Sequence, residues 1–588
     1  MKTPRRRFLS LLGGALAACA KALMREERPQ ASGLVDAPDA GVPSAETLAG
    51  AGSEKLFSDA PAPDDPLELL YSRRLPFEEG QPLITVRVAE GRREIAIEPR
   101  GPLAVLARTG QGETRPAVNA GAQGRWILRL LDSAPGVGAS WVELEQVDFQ
   151  NKQALQKAKD DWTALGVAVR VATVGEAYGI AGHVVDTRRY AVLAEGDATE
   201  PGARLQQKAI EARFGVRAQI HRELSLRPRG RIELRDPSGN VAAVGEGALE
   251  LRAAPGITVD AVEFGMGYSF HGFEDRTYPG RLFATVDASG ALALVAAVPM
   301  ERLVKGVVPS EIFANAHIEA LKAQAVTARG EVLAKIGARH LGDPYLLCAE
   351  QHCQVYKGLA AEEPAPGAAV DATRGEALFA ESFGVSRLVD SVYSAVCGGF
   401  TEDNDAVWGG PPNPSLRGRP DFDPRAAGMA VFANGIGEAL VSRFVHLSPV
   451  PSYCALSGLA RPDKVRWRKS FTQAEVDEIC APLGVGGVRA MIVEGRGVSG
   501  RARALRIEGE KALARIYGEL PIRRLFRNLN SGMFVVERAG GEWIFTGGGW
   551  GHGSGMCQTG AIGRADRGEM YRNILGWYYS GAAPVRIY

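Results

Sequence analysis

The residues best equipped for chemistry lie in three tracts. In the first, Val307-Val308-Pro309-Ser310-Glu311 forms a proline-containing turn that offers one carboxyl, and a helix rich in alanine and leucine follows over 317–329, where Gly330 stops it. A helical advance of 100° per residue brings Lys322 and Arg329, seven positions apart, within about 20° of one another, so one face carries two cations. A solvated basic face is one reading of that pair. The glutamate just ahead of it favours another, in which the carboxyl moves protons while the cations hold substrate oxygens.

Cys348-Ala349-Glu350-Gln351-His352-Cys353-Gln354-Val355-Tyr356 is the second tract, with His340 eight residues before its first cysteine. Two thiolates and two imidazoles within fourteen residues (His340, Cys348, His352 and Cys353) can supply the four donors of a structural, tetrahedral zinc. The spacing is not that of a standard finger, and a disulfide or plain buried thiols stay open for the two cysteines. In the third tract, Gly547 to Gln558, six glycines in nine positions let backbone approach a ligand closely, and Trp550 presents a face on which a sugar ring can stack. It lacks the Gly-Lys-Ser/Thr ending of a phosphate loop, and a tight structural turn is the alternative.

These tracts sit in a chain of 588 residues, with 69 Lys plus Arg against 68 Asp plus Glu, long enough for roughly three to five units. A net charge of +1 leaves no cationic excess to neutralise a phosphate backbone, which argues against a nucleic-acid partner. Residues 1–18 place Arg5-Arg6-Arg7 before a short apolar run, the layout of an export signal of twin-arginine look, too short to span a bilayer at about 20 apolar residues. Leu16-Ala17-Ala18-Cys19 reads as a lipobox with Cys19 acylated, a chance cysteine in a plain secretory signal being the alternative. A disordered linker rich in Ala, Pro, Gly and Asp is expected through 19–75. The product would be an exported bacterial lipoprotein, membrane-anchored in the periplasm or cell envelope.

Alternating apolar runs mark a β-rich scaffold in 76–138. In 139–225 a strand at 141–149, a helix at 151–165 closed by Gly166, extended runs at 167–174 and 190–193, a helix at 203–214 and a strand at 216–220 give the β-α-β-β-α-β order of ferredoxin-like folds. Short strands resume over 231–298. The expected class is α+β: a β-rich scaffold, a ferredoxin-like insert and a helix-bearing catalytic region in 226–588. The insert resembles, in pattern, the sporulation-related repeat that binds peptidoglycan glycan, an unrelated α/β insert being the alternative.

Six tracts in order resemble the stage II sporulation protein D family, which includes the amidase enhancers. They are Val308-Pro309-Ser310-Glu311, the run from Glu319 to Val326, the run from His352 to Gly358, Thr373-Arg374-Gly375-Glu376, Cys397-Gly398-Gly399, and Gly548-Gly549-Trp550-Gly551-His552-Gly553. The resemblance covers roughly 276–587. It implies lytic cleavage of peptidoglycan glycan strands, with Glu311 catalytic, Lys322 and Arg329 tied to activity and zinc at the Cys/His tract. Gly330-Glu331 stands where the family usually has Thr-Tyr, a departure that bears on the groove or the substrate.

An ordinary glycosidase needs two carboxyls astride the scissile bond, and Glu319, the nearest on the helix, is eight residues on and about 80° round. A lytic transglycosylase needs one, because the substrate's own muramyl 6-hydroxyl attacks the anomeric carbon and leaves 1,6-anhydromuramyl ends. Glu311 then serves as general acid and afterwards as base, with its pKa raised by burial. Nearby cations would oppose that rise, so Lys322 and Arg329 are expected on substrate oxygens, with Gln354, Tyr356, Trp550, His552 and Gln558 as further sugar contacts. The alternative is a non-catalytic amidase enhancer that binds cell wall and stimulates a partner N-acetylmuramoyl-L-alanine amidase. A zinc-dependent hydrolase is disfavoured, since four protein ligands close a site that catalysis needs open.

Overall fold

Buried residues run consecutively on two early strands, Leu83 to Val86 on Gln81–Arg92 and Ile95 to Ile97 on Glu94–Pro99, so successive side chains are covered on both faces of the sheet. The computed structural model describes residues 63–588 apart from 73–74, 122–123, 269 and 383. The export signal, Cys19 and most of the linker lie outside the described residues. The linker's far end is not disordered as expected: α1 (Pro66–Tyr71), capped by the Asp65 carboxylate, buries Leu69 and Leu70. Two adjacent leucines are enough to seat a helix that composition alone assigned to a tether.

One long sheet organises the N-terminal half. Its strands run in the order Phe77–Glu78, Gln81–Arg92, Leu292–Pro299, Gly272–Val286, Ala248–Phe264, Glu94–Pro99, Trp126–Ala134, Arg229–Arg235 and Val241–Glu246, each antiparallel to its neighbour. Short strands were expected over 231–298, yet Ala248–Phe264 and Gly272–Val286 have 17 and 15 residues. Their pairing passes Pro255 and Gly256 by shifting register between Arg252 and Gly256 and again between Val259 and Val262.

The chain leaves this sheet after Trp126–Ala134 and returns on Arg229–Arg235, its direct neighbour, so 137–226 is an excursion. It runs Val137–Asp148, α2 (Lys152–Ala164), Val169–Val174, a hairpin of Ala177–Ile180 with His183–Asp186, Arg189–Ala194, α3 (Glu200–Phe214) and Gln219–Leu226. The Asn151 side chain caps α2, and Gly215 ends α3 at φ 68°. Four strands make a separate antiparallel sheet in the order Gln219–Leu226, Val137–Asp148, Arg189–Ala194, Val169–Val174. The hairpin was not foreseen, and the last strand starts at Gln219 rather than 216.

From Leu292–Pro299 the chain passes into α4 (Met300–Glu311) and then α5 (Ile318–Lys335). Helix α5 is buried around almost its whole circumference by α4, α6 (Pro364–Ala372), α7 (Gln558–Ala565) and α8 (Tyr571–Tyr578). Strand Glu376–Ser382 pairs with the C-terminal strand Ala582–Arg586, and Tyr393–Ser394 pairs in parallel with Met556–Cys557. Late segments are thereby folded back onto the helices. The described residues form one unit of strand-rich α+β structure. Among the described residues no helix is long and apolar enough to cross a membrane.

Candidate active site

Glu311 is the last residue of α4, not part of a turn ahead of a helix. Pro309 has no N–H for the Lys305 carbonyl, but the Ile312 N–H still reaches Val308 O at 3.0 Å, so the final turn closes. Gly306 in the same helix sits under Tyr356; a Cβ there would lie 2.5 Å from the ring.

The Glu311 carboxyl is half-buried, and its Oε1 accepts the Val355 N–H at 2.6 Å. Burial pushes its pKa up to about 8; the Val355 N–H and Lys357 oppose the rise and Glu331 adds to it. At neutral pH the group is therefore mostly protonated and able to donate. The Glu311 backbone carbonyl accepts from Gln558 Nε2 at 2.9 Å, and the same amide reaches Gln324 Oε1 at 3.2 Å.

Glu331 is a carboxyl the sequence reading passed over. Burial raises it to about 7, with Lys335 opposing and Asp390 adding. Lys335 Nζ lies 3.8 Å from Glu331 and 2.7 Å from Asp390. The expected stop at Gly330 hid it. Helix α5 runs on to Lys335, and Gly330 is there because a Cβ would meet Ser391 Oγ at 2.3 Å. The available signal was the departure Gly330-Glu331 itself.

Arg329 does not face substrate. It is 1% exposed, and its five N–H groups all have partners: Nε to Glu301 Oε1 at 2.8 Å, Nη2 to Glu301 Oε2 at 2.6 Å and Val370 O at 2.9 Å, Nη1 to Thr373 Oγ1 at 3.2 Å and Glu376 O at 3.5 Å. Lys322 binds Glu319 Oε1 at 2.7 Å, and Glu319 in turn accepts the Tyr571 N–H at 2.8 Å. Each cation answers a carboxylate of this chain. Gln354 is buried, donating to Ala328 O at 3.1 Å and accepting from Tyr393 Oη at 2.9 Å. Tyr356 is buried against Tyr278, and Gln558 is buried beneath Glu311. Arg329, Gln354, Tyr356 and Gln558, expected on sugar, are each no more than 5% exposed and pack within the chain.

In the glycine tract, Trp550 is 37% exposed with Lys464 Nζ 3.5 Å from its ring centroid. His552 lies 4.9 Å from Trp408, and burial with the charges of Arg501 and Arg523 holds it neutral, its pKa down at about 3. Gly549 and Gly553 have positive φ, and their Cβ atoms would fall 2.8 Å from Val396 O and 2.2 Å from Arg501 Cζ. The glycines meet packing needs of the loop, while Trp550 is part-exposed with Lys464 over its ring.

Cys348 is fixed by the short strand Leu347–Cys348, parallel to Gln81–Arg92. One donor atom from each of His340, Cys348, His352 and Cys353 lies within 4.8 Å of all the others. His340 Nε2 is 3.4 Å from Cys353 Sγ, and His352 Nδ1 is 3.6 Å from both sulfurs. A tetrahedral ion with bonds of about 2.0–2.3 Å sets its ligands about 3.3–3.8 Å apart, so the donor set fits Zn²⁺. The second nitrogen of His340 meets Asp343 Oδ2 at 2.9 Å, the carboxylate partner that orients a metal-bound imidazole. Both cysteines are free thiols, leaving the disulfide alternative without support.

Fold and site together define an α+β protein with a glutamate at a helix end, its pKa raised by burial, near a four-donor Cys/His cluster. Residues 288–379, which hold Glu311, α5 and the cluster, match the Stage II sporulation protein family, and residues 402–555 match a domain of unknown function. The chain is 27% identical over 301 residues to stage II sporulation protein D of Bacillus subtilis, covering 48% of this chain and 74% of that protein. It is 24% identical over 292 residues to the amidase enhancer of the same organism, covering 47% of this chain and 39% of that protein. An uncharacterized protein of Brachyspira hyodysenteriae is 27% identical over 322 residues, 54% of this chain and 74% of its own length. The chain thus carries a stage II sporulation protein domain over residues 288–379 and has homologues named stage II sporulation protein D and amidase enhancer.

Proposed function

We propose that this cell-wall-related protein is a lytic transglycosylase of peptidoglycan. The observation that carries the reading is the Glu311 carboxyl, half-buried at the end of α4 and raised to about 8, so that it holds a proton at neutral pH. Glu311 donates that proton to the glycosidic oxygen as the bond to the anomeric carbon breaks. The muramyl 6-hydroxyl attacks the same carbon, and its proton passes to the Glu311 carboxylate, restoring the acid. Glu331 lies in the ion network of Lys335 and Asp390 and serves to keep Glu311 protonated rather than to activate water.

Zn²⁺ on His340, Cys348, His352 and Cys353 is structural in this reading, since four protein donors leave no open position, and it pins the tract that presents the Val355 N–H. We read 137–226 as a ferredoxin-like, glycan-gripping insert: Arg170, His221, Arg222 and Leu341 line a cavity of about 380 Å³ against its sheet, and Arg170 stacks 4.6 Å over Trp141. Trp550 and His552 supply a stacking face and a neutral hydrogen-bonding group. Export and acylation at Cys19 would tether the enzyme to a membrane beside its substrate.

Purified protein incubated with glycan strands should yield 1,6-anhydromuramyl ends by mass spectrometry, and Glu311→Gln should yield none. Reducing ends would mean hydrolysis. No products, with an added N-acetylmuramoyl-L-alanine amidase accelerated, would establish the second reading, which the amidase enhancer among the relatives favours.

A further inference from the structure

A second group of donors lies away from Glu311. Cys397, Asp421, Cys454 and Cys557 are each 0% exposed, and one ligand atom from each lies within 4.8 Å of all the others. Cys397 Sγ is 3.3 Å from Asp421 Oδ2 and 3.9 Å from Cys454 Sγ. Buried thiols alone behave as small apolar groups. A carboxylate set among three of them is different, because burying it without a cation is costly.

The surroundings are built for charge on sulfur. Backbone N–H groups point at two of the thiols: Cys397 N to Cys557 Sγ at 3.1 Å, Gly560 N to Cys557 Sγ at 3.3 Å, and Gly399 N to Cys397 Sγ at 3.4 Å. The far oxygen of Asp421 is held by Tyr578 Oη at 2.7 Å, while Oδ2 accepts the Cys454 N–H at 3.2 Å and faces Cys397 Sγ. Two buried guanidinium groups flank the cluster. Arg466 donates to Gly398 O at 2.8 Å and Arg564 Nε stands 3.7 Å from Asp421 Oδ1, too far for a hydrogen bond. Arg466 Nε and Arg564 Nε and Nη2 have no hydrogen-bond partner.

We propose that Cys397, Cys454, Cys557 and Asp421 bind a single Zn²⁺, a site separate from the Cys/His cluster. Three thiolates and one carboxylate suit Zn²⁺; the sulfurs exclude Mg²⁺ and Ca²⁺, and the oxygen disfavours Cu⁺. On binding, each thiol releases its proton to solvent. Three thiolates, a carboxylate and one divalent ion leave a net charge of −2 beside Arg466 and Arg564, the latter also paired with Glu569 at 3.1 Å.

The ion would join distant parts of the chain. Cys397 and Cys557 adjoin the two ends of the segment 402–555, while Asp421 and Cys454 lie within it. Cys557 caps α7, whose first residue is Gln558, the residue that holds the Glu311 carbonyl. The site is thus a clasp that closes the segment 402–555 and seats Gln558.

Metal analysis of the purified full chain tests this apart from the Cys/His cluster. We expect two zinc ions per chain, one remaining in Cys348→Ser/Cys353→Ser and one in Cys397→Ser/Cys454→Ser. X-ray absorption on the Cys348→Ser/Cys353→Ser protein should show three sulfurs and one oxygen around zinc. Should either variant fail to fold, the wild type decides by its average, about 2.5 sulfurs per zinc from sites of two and three. Zinc absent from folded Cys348→Ser/Cys353→Ser protein, or a Cys397–Cys454 disulfide in an unreduced peptide map, would overturn the proposal. One zinc in the wild type that survives in Cys348→Ser/Cys353→Ser would uphold it and sink the Cys/His assignment instead.

Discussion

Gln558 and Glu311 stand 247 positions apart, yet the Gln558 side-chain amide donates to the Glu311 backbone carbonyl at 2.9 Å. That carbonyl belongs to the last turn of α4 and has no partner within the helix. The bond ties the glycine tract to the end of the helix that presents the proposed acid. Gln558→Leu should therefore cost about 1–2 kcal/mol of stability. It should also lower kcat roughly 10- to 100-fold with little change in KM, because the carboxyl is misplaced rather than removed. Urea melts and the rate of anhydromuramyl release measure the two effects separately.

Arg329 and Lys322 share a helix and differ in what their loss should do. Arg329 is 1% exposed and paired in bidentate fashion with Glu301, so Arg329→Met strands a buried carboxylate and should destabilise by about 3–5 kcal/mol. The Lys322 side chain is 22% exposed and its partner Glu319, 7% exposed, keeps the Tyr571 N–H, so Lys322→Ala should cost less, about 1–3 kcal/mol. Thermal unfolding of the two variants checks the ranking. A stable Arg329→Met protein with weakened glycan affinity would restore the substrate-binding role that the packing removes.

Local signals in the sequence carried as far as neighbours along the chain. Asn151 and Gly215 mark helix ends that the structure keeps, and the four Cys/His donors lie within fourteen residues, so their meeting was readable from spacing. Helical periodicity placed Lys322 and Arg329 on one face but said nothing of what packs opposite; Glu301 comes from the preceding helix. The strands over 231–298 run longer than expected because bulges carry Ala248–Phe264 past Pro255 and Gly256, and a bulge repairs pairing only when a partner strand is present. Cys397, Cys454 and Cys557 converge across 160 positions, a distance no local pattern spans.

The carboxyls of Glu311 and Glu331 set a pH dependence. Glu311 titrates near 8 in the fold against an ordinary 4.5, so activity requiring its proton should fall as pH rises through about 8. Glu331 raises Glu311 by like charge, and Glu331→Gln should move that alkaline limb to lower pH. Stability follows the same sign. Between about 4.5 and 8 the folded chain keeps a proton on Glu311 that the unfolded chain has lost, so this group makes the protein less stable as pH rises across that window. Glu311→Gln should flatten that loss and melt higher than wild type at pH 8. A pH–rate profile and melts at pH 5 and pH 8 test both, and an unchanged limb in Glu331→Gln would break the coupling.

Asp343 offers a test of the Cys/His cluster that spares every ligand. Its Oδ2 meets His340 Nδ1 at 2.9 Å, leaving Nε2 directed at the sulfurs. Removing the carboxylate frees the ring to turn and lowers its basicity, so Asp343→Ala should weaken zinc affinity about 10- to 100-fold while the chain still folds. Chelator competition reads the affinity directly. Because Val355 follows Cys353 by two residues and donates to Glu311 at 2.6 Å, stripping the metal should also speed amide hydrogen exchange across 347–356 and restore slow exchange when zinc is returned. Unaltered zinc affinity in Asp343→Ala, or exchange indifferent to the chelator, would mean that the four donors pack as ordinary side chains.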